Sequence, residues 1–185
     1  MNDKKSIWSA ASAPALLMGG ISVAYIALGY FTGKLGTGFL STAISAVLWI
    51  AKLIICVLVF KHLLQAFSAS DPEADNARVF KFGVVVALLS SLVYSAAYLC
   101  YMLYIVPDMI SEMFARITDA YSSMMDSNSL AALEKMEGSM PSIAFFSNLV
   151  YCFLFGTILS AILSRNIPPR NPFERRDDED GQIAL

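Results

Sequence analysis

Lys52 is the residue most able to do chemistry in this chain, because it lies where a charge is costly. It falls inside residues 39–60 (FLSTAISAVLWIAKLIICVLVF), a run with no other charged side chain. A charge at the centre of a membrane helix costs about 2.5–3.5 kcal/mol on insertion scales. Helical spacing puts Ser45, Trp49 and Cys56 near its face. Ser91, Tyr94 and Ser95 of a later apolar run, and Gly19 and Gly20 of the first, fall at similar depth if the runs lie antiparallel. A lysine facing hydroxyls and small residues could bind an anionic lipid or substrate group, which makes Lys52, Ser91 and Tyr94 the candidate ligand-binding residues. It could also serve a proton path, but no Asp or Glu lies in any of the apolar runs to relay with it. The competing reading is a lysine whose amine snorkels to the cytoplasmic headgroups near Lys61.

Other polar groups in the apolar runs carry less. Tyr94, Tyr98 and Tyr101 share a helical face, and Tyr104 falls where tyrosine collects at a membrane–water interface. The stripe could line a ligand cleft or bond between helices. Asn148, Tyr151 and Ser160 read as interhelical hydrogen-bond partners. Cys56, Cys100 and Cys152 all lie in apolar runs and read as free thiols rather than a disulfide framework. His62, the single histidine, has no Cys or His at ligand spacing, so neither a metal site nor a cofactor is expected. There is no phosphate-binding loop, no intramembrane acid pair and no Ser–His arrangement, so enzymatic activity is not expected. A net charge of −2 offers nucleic acid no attraction.

The elements that must position these groups are four apolar runs, at residues 13–31, 39–60, 82–106 and 143–163. About 20 residues of helix cross the roughly 30 Å hydrocarbon core of a bilayer. Only 15% of the chain is charged, against about 25% in a typical soluble domain. The predicted fold is therefore all-α, a polytopic membrane protein of four transmembrane helices. The N-terminus imitates a secretory signal through Lys4, Lys5 and a small-residue pattern at Ala11, Ser12 and Ala13. That pattern comes before any sufficient apolar core and is followed by Pro14, which predicts a retained first helix. Lys4, Lys5, Lys61, Arg78, Lys81, Arg165, Arg170, Arg175 and Arg176 gather on one side of the resulting topology, leaving Lys34, Arg116 and Lys135 on the other. Retention of basic residues in the cytoplasm predicts both termini inside.

The connections differ in character. Residues 32–38 (TGKLGTG) predict a tight hairpin between the first two helices. Asp71, Pro72 and Glu73 read as a cap, first residue and dipole partner that start the third helix, and Pro107 ends it. The outer loop, residues 107–141, places Ile110, Met113, Phe114, Ile117, Tyr121 and Met124 on one helical face. A second short helix is expected over 129–137, stopped by Gly138, so that a short helical extracytoplasmic cap lies over the outer mouth of the bundle. The transmembrane domain thus covers 1–164. Residues 165–185, with Pro168, Pro169, Pro172 and a basic cluster passing into acids, predict a flexible cytoplasmic tail.

The exit of the last helix, YCFLFGTILSAILSRNIPPRNPF at 151–173, completes a pattern with IVPDM at 105–109 and the size of the outer loop. Across essentially the whole chain it resembles a Bacteroidetes family of small four-helix membrane proteins catalogued as a domain of unknown function. The resemblance carries over no functional residue. Genes of that family often stand beside a membrane glycosyltransferase, which implies a non-enzymatic accessory or scaffold role. Two functions therefore stand open: that accessory role, or a small transporter or lipid-binding protein using the Lys52 region. Membrane lipids are expected partners in either case, alongside a membrane-protein partner or a second copy of the chain. A cavity reaching Lys52 favours the lipid-binding reading, and a dry, close-packed bundle the accessory one.

Overall fold

The computed structural model describes residues 6–34, 38–71, 74–121 and 124–167. Those residues are helical throughout apart from turns: α1 (Ile7–Gly33), α2 (Phe39–Ser70), α3 (Asn76–Cys100), α4 (Asp108–Tyr121) and α5 (Ser127–Arg165). A π-helical turn, Tyr101–Ile105, carries α3 to the break before Pro107. Four of these helices, all but α4, are long and apolar enough to cross a membrane.

α3 is the central helix, packed mainly on α5 and α1, while α2 leans chiefly on α1. The reason is a stripe of small side chains at four-residue steps. Gly83, Ala87, Ser91 and Ser95 are all buried, and such a stripe lets backbones approach closely where lipid offers no hydrophobic drive. Gly156 of α5 meets Ala87 so closely that an added Cβ would lie 2.6 Å from the Ala87 Cβ. Gly83 abuts Ser160, whose hydroxyl donates to the Phe80 carbonyl at 3.1 Å. On the α1 side, Gly19 fits against Val93. Its neighbour Gly20, grouped with it in the sequence reading, faces open space. The 3.6-residue turn turns adjacent positions about 100° apart, so only one of the two can face α3.

The closest-packed apolar core lies at one end of the bundle, where α1 and α3 begin and α2 and α5 end. Ala11, Ala15, Phe60, Leu64, Phe67, Val79, Phe82, Val86 and Ile167 meet there. Phe67 and Phe82 stack with ring centroids 4.0 Å apart. Arg78 reaches back from α3 to Asp71 with a 2.6 Å ion pair that fastens the turn between α2 and α3.

Two expected boundaries move. α3 is capped by Asp75, which accepts the Arg78 backbone N–H at 2.6 Å, while Asp71 closes α2 instead. Asp75 is the acid placed three residues before that N–H, and the Asp71 carboxylate pairs with the Arg78 guanidinium. The readings of Pro72 and Glu73 lie outside the described residues, as do those of the tail beyond 167. The second cap helix is not separate: α5 runs without a break from Ser127, past Gly138 and Pro141, to Arg165. Its start is fixed by Asp126, which accepts the Ser129 backbone N–H at 2.9 Å. Leu, Ala, Glu, Lys and Met then fill 130–136, and a helix once nucleated propagates through one poor residue at a cost of about 1 kcal/mol for Gly. The cap is thus α4 laid against the N-terminal turns of α5. Phe114 is buried in it and Ile110 and Ile117 are half-buried, but Tyr121, expected to be shielded, is exposed at the end of α4.

Candidate functional site: a lysine cleft between four helices

Beside the close-packed end, α1, α2, α3 and α5 draw apart around a cleft of about 150 Å³. α2 supplies Trp49, Lys52, Leu53, Cys56 and Phe60 to its wall; α3 supplies Ala87, Ser90, Ser91 and Tyr94. Lys52, Ser91 and Tyr94, separated by some forty residues of sequence, are therefore brought into one site, as expected from their depth. The 3.6-residue period of α2 aligns Trp49, Lys52, Cys56 and Phe60 on one face. Ser45, placed near that face by spacing, is not part of the wall and is exposed.

The amine of Lys52 turns toward two aromatic rings. Its Nζ lies 4.6 Å from the centre of the Tyr25 ring and 4.7 Å from that of Tyr94, within the range where a cation is attracted by the ring face. No described carboxylate pairs with it. Two ring faces thus flank the amine, and they would attract it as an ammonium without neutralising it. Ser91 is almost fully buried, and its hydroxyl donates to the Leu88 carbonyl of its own helix at 2.8 Å, leaving its oxygen lone pairs to accept but no proton to give. Ser22, Tyr151 and Cys152 complete the polar wall, whereas Met18, Phe60, Phe155 and Leu159 make the rest apolar.

Tyr25 is the member that sequence reasoning missed. Met18, Ser22 and Tyr25 recur at four- and three-residue steps, so the signal was present as a face of α1, masked by the apolar residues around it. Tyr151 was read as an interhelical hydrogen-bond partner; it stands instead at the cleft's edge with its ring largely exposed. Ser160 and its bond to Phe80 follow expectation. Ser95 is completely buried without a hydrogen-bond partner and lies outside the cleft wall. Cys56 and Cys152 line the cleft as free thiols, and Cys100 is free and exposed.

The tyrosine stripe continues outward from the site. Tyr94, Tyr98 and Tyr101 follow one another with centroids 6.2 and 6.0 Å apart, and Tyr101 meets Tyr30 edge-on at 6.3 Å. Lys34 covers the Tyr30 ring at 4.3 Å. A continuous aromatic row thus joins the intramembrane lysine to a lysine at the C-terminal end of α1.

Four apolar spans around a partly polar cleft define an all-helical protein built for a bilayer. Residues 14–165 match the family model described as a protein of unknown function, DUF4199. The chain belongs to that family. No curated protein and no solved structure matches it.

Proposed function

We propose that the protein is a non-enzymatic, multi-pass component of a bacterial inner membrane, with both termini cytoplasmic, that binds an anionic lipid in the Lys52 cleft. One observation carries this reading: an amine between two tyrosine rings faces a cavity near mid-span, with no described carboxylate paired to it. An unneutralised cation in a low-dielectric setting is an attractive site for an anion, because the desolvation cost is already met by the fold. The basic residues of the termini and the α2–α3 connection support the orientation. Purification in a mild neutral detergent followed by native mass spectrometry tests the binding. Retained anionic lipid that is lost on Lys52→Met supports it, and lipid retention that ignores charge and the substitution refutes it.

A second reading is an accessory or scaffold subunit beside a membrane glycosyltransferase, as the resemblance to a Bacteroidetes family implies. The cap favours it, because Met109, Met113 and Met124 are exposed there, and methionine surfaces adapt readily to partners. A membrane enzyme that co-purifies with the wild type and is released by Met109→Glu with Met113→Glu supports that role. Co-purification of lipid alone tells against it.

A further inference from the structure

Charge and shape of the cleft specify its ligand more closely. Along α2 the wall runs from Trp49 to Phe60, a length of about 16 Å at the helical rise. Its two ends differ. Around Lys52 the lining is Ser22, Trp49, Tyr94, Tyr151 and Ser91; toward Phe60 it is Met18, Leu159 and Ala87. Among the described residues, Lys52 is the sole Lys, Arg or His of the wall, and none there is an acid. A singly charged anion would leave the site neutral. A doubly charged one would leave a net negative charge inside the membrane, which costs several kcal/mol unless another cation answers it.

Resting on the reading that the cleft binds anionic lipid, we propose that its ligand is a monoanionic amphiphile. The head, a carboxylate or a phosphodiester, accepts from the Lys52 amine, and the methylenes next to it lie against the apolar wall of Met18, Phe60 and Leu159. A cavity of about 150 Å³ encloses a molecule about the size of benzene, so it takes the charged head and its nearest methylenes while the rest of the amphiphile stays outside.

Trp49 lies in the wall but is also half exposed to the surroundings of the bundle, so occupancy is read as the part of its quenching that depends on the probe's head. The chain has two tryptophans, so Trp8→Phe leaves Trp49 as the single emitter. Brominated probes that share one chain and differ in the head separate the contributions: palmitate, palmityl alcohol and palmityl phosphate, the last carrying about −1.5 to −2 at neutral pH. Brominated phosphatidylglycerol against phosphatidylcholine tests the phosphodiester source, and palmitate the carboxylate source. Palmitate, phosphatidylglycerol or both should quench Trp49 about tenfold more tightly than their uncharged or zwitterionic counterparts, the factor expected of one charge-assisted hydrogen bond. Palmityl phosphate should bind more weakly than the better monoanion. Lys52→Met should abolish the preference, and Lys52→Arg, which keeps the single positive charge, should retain it. Should Lys52→Met fail to fold, the wild-type series and Lys52→Arg still decide. If palmityl phosphate binds as tightly as the monoanions, the monoanion proposal is overturned while anionic-lipid binding stands. If no probe shows charge preference, both fall.

Discussion

Substituting Gly156 by alanine separates two opposing effects whose signs the structure predicts. In an open helical position this change stabilises, because alanine is favoured over glycine by about 0.8–1.0 kcal/mol in a helix interior. At position 156 the new Cβ would stand 2.6 Å from the Ala87 Cβ, against the 3.4 Å at which ordinary contact begins. The Ala87 Cα is already at 3.5 Å, so α3 and α5 must separate rather than a side chain rotate. Overpacking of this kind costs about 1–3 kcal/mol, so Gly156→Ala should be net destabilising by roughly 0–2 kcal/mol after the propensity gain. Gly20→Ala, with nothing within 4 Å of its added Cβ, should be neutral or stabilising. Ala87→Gly in the Gly156→Ala background should recover part of the loss, giving a coupling energy of about 0.5–3 kcal/mol for residues in contact. Unfolding in mixed detergent micelles, followed by far-UV circular dichroism, measures the wild type, Gly20→Ala, and the Gly156→Ala, Ala87→Gly and double variants of the cycle. If Gly156→Ala stabilises as much as Gly20→Ala, and Ala87→Gly shows no coupling, the α3–α5 seam described above does not exist.

Further outcomes follow from single contacts. Ser160→Ala removes the bond to the Phe80 carbonyl and should cost about 0.6 kcal/mol, the average for interhelical hydrogen bonds in a membrane bundle, read in the same unfolding assay. Asp75→Ala should cost about 1 kcal/mol and speed hydrogen exchange over the first turn of α3, with Asp71→Ala leaving that turn protected, because Asp75 is the cap. The Asp126 carboxyl is held below its usual range because the Ser129 hydroxyl and backbone N–H both donate to it. A depressed carboxylate stabilises the fold above its unfolded value and loses that stabilisation as pH falls through its folded value, so the first turn of α5 should fray only in strong acid; exchange that accelerates already near neutrality would contradict this. Reporter fusions after Lys34 and within 115–136 should read outside, and fusions after Arg78 and Asp177 cytoplasmic; two reversed reports would overturn the orientation.

Much of this fold was legible because a bilayer imposes length and polarity on each span. The four helices and the meeting of Lys52 with Tyr94 follow from period and depth. What escaped has physical causes. Gly138 and Pro141 are helix-stopping residues in water, yet strong formers on either side carry α5 through them. Gly19 and Gly20 are equivalent in composition, and only rotation about α1 chooses which one meets Val93. Tyr25 was hidden because an aromatic residue in an apolar run carries no mark of the cation it faces. The choice between a snorkelling and a sheltered lysine depends on side-chain direction, which spacing along α2 does not encode; the geometry favours shelter, with the amine between Tyr25 and Tyr94.

The central claim is that the Lys52 cleft takes a negatively charged lipid. Titrating the single-tryptophan protein with brominated phosphatidylglycerol and then brominated phosphatidylcholine, beside the Lys52→Met variant, tests it most directly. The account predicts saturable quenching of Trp49 that favours phosphatidylglycerol and loses that preference in Lys52→Met. Equal quenching by both lipids, unchanged by the substitution, would show that Trp49 meets ordinary bilayer and that Lys52 binds nothing.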